Sequence, residues 1–471
     1  MNTPGNRNYD VIVVGGGGAG MAAALTASSN GASVAIVEAG PQLGGSTALS
    51  GGVYYAAGTS VQRARGILDD TPDEMFDYYM TLNQHRVEPA LVRRLCNEAE
   101  SGLDWLMSLG VVFKPEALYK SGVDSVARGH HAEGDGAAIA EALDRAVSQA
   151  GIDVALNSRV DRLLVDGGNV YGVNVCGDNI TANSVIITTG GLGGNRELHH
   201  IYYPEAAAYG DDWTWYIGSP TVRGDGLILG QAADADITGH NRGLLLTTPG
   251  FSRDLEPYVP GWLVYVNREG RRFINETTEY AVMSGAITAQ TGRTCFAIFD
   301  ESSRAAATPA FDYEEAAGAG FPFVNYVADR LEEMAAKGKI YKANTISELA
   351  ELAGIRASAL ASSISTYNAS CTKGSDPEFF KEASIMRPIQ VAPFYAAEVR
   401  PAVICLTSVG LRINSSGQVL SRDNLPISGL FAAGETTGGV MGERYVGGGN
   451  SITNAIVFGR IAGRSATTAS A

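Results

Sequence analysis

The sequence is short of cysteine, of positive charge and of long apolar runs. Its five cysteines (Cys96, Cys176, Cys295, Cys371 and Cys405) are scattered over 471 residues, with no CxxC, CxxCH or zinc-type cluster. That spacing argues against a disulfide framework, a c-type haem and structural zinc, and it suits a reducing cytoplasm. No segment approaches the ~18 consecutive apolar residues of a membrane span. The polar start, Met1 to Tyr9, leads straight into a strand-like run, so no signal peptide is expected. Lys and Arg number 35 against 50 Asp and Glu, a net charge of −15. This balance disfavours nucleic acid or an anionic membrane surface as the main partner. With only 17 prolines, 18% charged and 45% hydrophobic residues, the chain has ample core material and is not disordered. Its length suggests two or three domains.

What the sequence has in excess is glycine, 58 residues, or about 12% against a usual share of about 7%. There is no G-X-Y repeat, so position is what matters. The first cluster follows the apolar run Tyr9 to Val14, which reads as a buried strand. Gly15, Gly17 and Gly20 satisfy GxGxxG, with Gly18 and Ala19 inside the motif. A helix-like Met21–Ala27 comes next, then a second strand, Ser33 to Val37, ending at Glu38. A tight turn, a backbone close to a pyrophosphate and a helix N-terminus aimed at it are what a dinucleotide needs. Glu38 lies at the distance where an acid takes a ribose hydroxyl. Further clusters are Gly44 to Gly52, the strand-to-turn Ser184–Gly191, Gly429 to Gly439, and Tyr445 to Ile452. Five such clusters, in both halves of the chain, suit a long ligand such as FAD better than NAD alone.

These motifs resemble those of the fumarate reductase and succinate dehydrogenase flavoprotein family, and within it the branch containing the ketosteroid dehydrogenases. The resemblance runs from about Tyr9 to Thr467. It rests on the dinucleotide fingerprint, GGSTALSGG at 44–52, the TTGG turn, Asn267 to Glu276, GLFAAGE at 429–435 and the closing Gly448 to Gly463. It implies an α/β fold: a Rossmann-like FAD-binding domain over 1–235 and 397–471, with an inserted α+β capping domain over 236–396. The expected FAD contacts are the fingerprint residues, Glu38, Gly44, Gly45, Ser46, Thr47, Ser50, Gly51, Gly52, Val160 at adenine, Thr189, Gly190, Gly434, Glu435 at the ribityl chain, Asn450, Ser451 and Ile452. Succinate dehydrogenases carry a flavin-bonded histidine where this chain has Ser46, so non-covalent FAD is expected. Only one dinucleotide fingerprint is present, so NAD(P)H is not an expected partner; oxygen, a quinone or another carrier would reoxidise the flavin.

The dicarboxylate site of that family is kept only at Arg444, the arginine near the final glycines, where Tyr445 follows it. Leu244 to Pro249, Leu406 and Tyr280 stand where two histidines and an acidic arginine would be. Two carboxylates need cations to meet them, so fumarate and succinate are poor candidates. Ketosteroid 1-dehydrogenases resemble this chain in a tyrosine after their NE pair and a YxxxG segment before the last helix. The resemblance implies that Tyr445 O–H and Gly449 N–H meet the ketone oxygen, that Tyr280 takes the α-proton, and that Tyr119 serves as a second tyrosine. The expected activity is desaturation of a cyclic ketone, a 3-ketosteroid or a smaller ring such as 4-oxocyclohexanecarboxylate, or reduction of the enone. The alternatives are a reductase of an unsaturated monocarboxylate, with Arg444 or Arg223 as clamp, and a flavin-binding subunit without substrate chemistry. His130-His131 reads as a non-metal pair, since adjacent histidines point apart. Arg444 could equally pair with Glu443, and Trp213, Trp215 and Tyr216 could line a pocket or fill a core.

Overall fold

Apolar runs and glycine turns set the order of the layers. The computed structural model describes residues 8–468. The chain forms two compact units: one runs through Ala207, from Gly218 to Leu244 and from Cys405 onward; the other comprises Ala208–Ile217 and Leu245–Ile404. The joins expected at 235/236 and 396/397 therefore fall at 244/245 and 404/405, inside the strands Gly243–Pro249 and Phe394–Thr407. Residues 208–217 go with the second unit because Trp215–Tyr216 pairs parallel with Phe394–Thr407.

The first unit is built on a mainly parallel sheet. Tyr9–Val14 lies between Val34–Val37 and Asp178–Ile187, with Val13 opposite Ile36 on one side and Ile186 on the other. Pro426–Ala432 continues the sheet beyond Asp178–Ile187, and Asp153–Ala155 beyond Val34–Val37, both parallel. Val11, Ile12, Val13, Ile36 and Ile186 are fully buried, as expected of strands covered on both faces. The sheet takes strands from both ends of the chain, so the expected Rossmann-like α/β fold is observed. An antiparallel hairpin, Val160–Asp166 with Asn169–Val175, leads into Asp178–Ile187.

Glycine also lets helices approach. A Cβ on Gly459 would lie 2.4 Å from the Ala19 carbonyl oxygen, and one on Gly463 would lie 2.3 Å from that of Ala23. The final helix, Asn450–Thr468, thus rests backbone to backbone on the first, Gly18–Ser29. The helix Pro72–Leu82 starts at a capping box, Thr71 with Glu74, with Pro72 at its first position. A small antiparallel sheet of Val53–Tyr55, Ala127–Ala132 and Phe113–Lys120 completes the parts that bear on the site.

In the second unit Phe394–Thr407 pairs antiparallel with Cys295–Asp300 and Tyr341–Ala343, and Cys295–Asp300 pairs with Val264–Val266. The helices Ile346–Ala353 and Ala357–Lys373 bury Leu349, Leu360 and Ile364 against Val264, Phe296 and Ile298. The second unit thus mixes helices and strands, as the resemblance implies for the inserted part of the chain. No helix among the described residues is long and apolar enough to cross a membrane.

Candidate active site

The dinucleotide loop is shaped by close approaches. Gly15 has φ +103°, and a Cβ on Gly20 would stand 1.9 Å from the Gly15 carbonyl oxygen, so neither position tolerates a side chain. At Gly17 a Cβ would meet no atom within 4 Å. Gly17 caps the helix Gly18–Ser29 without a side-chain hydrogen bond, and no acid lies in the first turn. Backbone N–H groups at a helix N-terminus that no side chain caps, with bare backbone beside them, fit a pyrophosphate. Glu38 is 7% exposed; its carboxylate accepts from Gly16 N–H and Gly40 N–H, both at 2.6 Å. Beyond its expected place at a ribose, Glu38 therefore ties the loop to the end of the second strand.

The second glycine cluster interlocks with its surroundings. Gly17 bridges Gly44, and Ser46 Oγ accepts from Ser219 N–H at 3.0 Å. A Cβ on Gly18 would meet Thr47 Oγ1 at 2.6 Å, and one on Gly52 would meet the Asp135 backbone at 2.3 Å. Ser50 Oγ donates to the Thr47 carbonyl at 2.7 Å, so its hydroxyl braces the short helix Gly45–Ala48. Glu435 Oε1 accepts from Thr407 N–H at 2.8 Å and Thr407 Oγ1 at 3.1 Å. Burial raises the Glu435 carboxyl, against the pull of the Thr407 bonds. The Thr189 hydroxyl is buried without a hydrogen-bond partner among the described residues; a Cβ on Gly226 would lie 2.6 Å from it. Gly190, with φ +73°, turns the chain under Val222, and Gly434, with φ +77°, faces Ala19. Val160 begins its strand opposite Val175, and Ile452 is core.

The turn Tyr445–Gly449 is held carbonyl by carbonyl. Tyr78 O–H donates to Val446 O at 3.0 Å, Asn450 Nδ2 to Gly447 O at 2.7 Å, and Ser121 Oγ to Gly448 O at 3.0 Å. Gly449 O accepts from Thr453 N–H at 3.0 Å and Thr453 Oγ1 at 3.1 Å. The Gly449 N–H has no partner among the described residues. Tyr445 is half-buried, and its O–H lies 3.1 Å from Ser451 Oγ. Burial raises the Tyr445 phenol well above its usual range, with Cys405 and Tyr119 adding to the rise and Ser451 opposing it. It is therefore a neutral hydrogen-bond donor at physiological pH. Tyr119 is on the strand Phe113–Lys120, which runs directly into Ser121 and so to the Gly448 carbonyl; the structure thus joins the Tyr119 strand to the turn that carries Tyr445 and Gly449. Asn450 and Ser451, expected at the cofactor, spend their side chains on this turn. Neither that use nor Tyr78 and Ser121 has any signal in the sequence.

Tyr280 lies in the second unit, at the first position of the helix Tyr280–Thr288. The Glu279 carboxylate caps that helix by accepting from Ala281 N–H at 2.8 Å and Val282 N–H at 3.2 Å. The Tyr280 ring packs edge-on against Tyr258 at 5.4 Å. The preceding Glu276 is structural: it meets Lys381 Nζ at 2.7 Å and Arg272 Nε at 2.8 Å, and it accepts from Tyr265 N–H at 3.0 Å. Burial opposes its ionisation, yet Lys381 and Arg272 keep it below the usual carboxylate range. Arg272 also reaches Asp376 at 2.7 Å.

The remaining candidates are resolved by their partners. His130 is buried, with Nε2 2.8 Å from Thr59 Oγ1, and burial pushes it down to about 4. His131 faces the other way, 2.8 Å from Asp135. No metal cluster exists among the described residues. Glu443 pairs with Arg86 at 2.9 Å rather than with Arg444. Arg444 joins Leu82, Asn83, Gln84, Arg86 and Glu443 around a polar cavity of about 260 Å³. Arg223 donates to the Pro220 carbonyl at 3.2 Å. Trp213 stacks under Arg400 at 4.4 Å, a packing role within the second unit.

Comparison with known proteins bears on the family and the fold. The family profile described as FAD binding domain matches residues 10–452. The protein named "Probable fumarate reductase Ifc3" of Shewanella frigidimarina (strain NCIMB 400) is 33% identical over 470 residues, which cover 97% of this chain and 74% of that protein. A flavocytochrome c3 fumarate reductase structure superposes with a TM-score of 0.73 at 32% identity, over 98% of this chain and 78% of that one. A 3-ketosteroid-Δ4-(5α)-dehydrogenase from Rhodococcus jostii RHA1, in complex with 4-androstene-3,17-dione, gives 0.78 at 26% identity, over 99% and 98%.

Proposed function

The chain belongs to the FAD binding domain family, and from that premise we propose that it acts on the carbon–carbon bond α,β to the carbonyl of a cyclic ketone or enone. It is an FAD-dependent oxidoreductase, and the Gly15–Gly20 loop with Glu38 is the part of the chain that would hold the dinucleotide. FAD, when bound, supplies the hydride acceptor or donor. The observation that carries the reading is the Tyr445–Gly449 turn, where a neutral phenol and a backbone N–H without a partner among the described residues occur four residues apart. Two such donors stabilise charge as it develops on a carbonyl oxygen and make the adjacent α-carbon more acidic. On its motif offset Tyr280 is assigned the proton at that carbon, and Tyr119 assists Tyr445. A 3-ketosteroid and a smaller oxocyclohexane are both compatible with this chemistry. Oxygen, a quinone or another carrier completes the cycle.

A second reading, reduction of an unsaturated monocarboxylate, is favoured by Arg444, which Glu443 leaves to other groups because it pairs with Arg86. The two readings separate in one screen of the purified flavoprotein. Saturated cyclic ketones are tested with an artificial acceptor, and enones and unsaturated acids with a reduced dye. The ketone reading expects turnover in the first arm or with the enones; turnover of unsaturated acids alone rejects it. Tyr445→Phe is expected to lose roughly 10²- to 10³-fold in kcat, with FAD retained. Near-normal turnover would remove Tyr445 from the chemistry.

A further inference from the structure

The donors assigned to the substrate oxygen are useful only if they are aimed before the substrate arrives, and the means of aiming them lie outside the motif. All four carbonyls from Val446 to Gly449 are turned into the protein, and the donors come from three separate parts of the first unit. Tyr78 is on the helix Pro72–Leu82, Ser121 lies directly after the strand Phe113–Lys120, and Asn450 and Thr453 belong to the final helix. The backbones also interlock: a Cβ on Gly447 would lie 2.7 Å from the Ser121 carbonyl oxygen, and one on Gly122 would lie 2.3 Å from that of Val446. A peptide whose carbonyl is fixed on one side presents the following N–H to the other, because the unit is planar. Ser121 fixes the carbonyl of the peptide that ends in the Gly449 N–H. Tyr78 fixes the carbonyl one residue after Tyr445.

We propose that Ser121 and Tyr78 are positioning residues, which hold the Gly448–Gly449 peptide and the Val446–Gly447 peptide that follows Tyr445, so that the Gly449 N–H and the Tyr445 O–H converge on a substrate oxyanion. The inference rests on the ketone reading above. Neither residue need touch the substrate, and the hydroxyls act through the Val446 and Gly448 carbonyls.

The test compares an enolate-like ligand with a neutral one. Binding of cyclohexane-1,3-dione, ionised at neutral pH, and of cyclohexanone is measured by perturbation of the flavin absorption in wild type, Ser121→Ala, Tyr78→Phe and Ser121→Thr. Wild type is expected to prefer the anion; if it does not, the ketone reading fails before the positioning question arises. If wild type does, Ser121→Ala and Tyr78→Phe should each weaken the anion by roughly five- to tenfold, with cyclohexanone within twofold. Ser121→Thr, which keeps a hydroxyl, should recover the preference. kcat should fall in parallel with the anion affinity while KM moves little. An unchanged preference in both truncations overturns the inference. So does equal weakening of both ligands, or loss of flavin from both variants, since each marks a general structural role.

Discussion

At Tyr445 the sequence supplies a phenol, and the fold decides what that phenol can do. Burial keeps it protonated, so it can donate to a developing oxyanion but is unsuited to remove a proton at neutral pH. The proton at the α-carbon is therefore assigned to another residue, and Tyr280 is proposed for it on its motif offset alone. Ser46 carries a second prediction at this scale. A serine hydroxyl accepting from Ser219 N–H has no nucleophilic ring nitrogen with which to bond a flavin. Acid precipitation is therefore expected to release all the flavin into the supernatant as FAD, with no fluorescent band on a denaturing gel. Flavin that stays with the precipitated chain would reject this.

Among the elements, the pairing of the first and last helices gives the flavin unit its coherence. Gly459 and Gly463, four residues apart, place one face of Asn450–Thr468 directly on Ala19 and Ala23. The same helix starts at Asn450, whose amide pins Gly447. A shift of the helix is thus transmitted to both the dinucleotide loop and the Tyr445 turn. Gly463→Ala puts a methyl group within 2.3 Å of the Ala23 oxygen; overpacking of this kind costs about 1–3 kcal/mol. The expected result is a lower Tm and weaker FAD retention, read together by thermal melting and flavin release. An unchanged Tm would show that the helices separate without cost.

Over the whole molecule, acidic composition and a buried acid make stability depend on pH. In the second unit Glu256 is 4% exposed, and burial pushes its carboxyl up to about 7, against the Asn325 and Val324 backbone bonds it accepts. A carboxyl raised on folding favours the folded state while it is protonated. Its contribution is fully present below the unfolded value near 4.5 and is lost as pH rises toward 7. The displacement corresponds to about 3 kcal/mol. Melting of the second unit should therefore fall between pH 5 and pH 8, and Glu256→Gln should flatten that slope. An identical slope in the variant would assign the pH dependence to other groups, the net charge of −15 among them.

The participation of both chain ends followed from the family resemblance, whereas the dinucleotide fingerprint and the strand–loop–helix–strand order were legible in the residues themselves. They depend on local demands: Gly15 must take a positive φ, and Gly20 must admit a carbonyl where a Cβ would sit. The tyrosine candidates were legible only as motif offsets. Their surroundings were not, because Tyr78, Ser121, Arg86 and Glu256 lie in no motif and their partners are distant in sequence. Tyr78 meets Val446 across 368 residues, and Ser121 meets Gly448 across 327. Residue types and spacings thus settled which cofactor loop the chain builds and where its turns fall. Which carbonyls are pinned, which acid is desolvated and which arginine is already paired depend on side chains meeting after long loops close, and only the tertiary structure decided them.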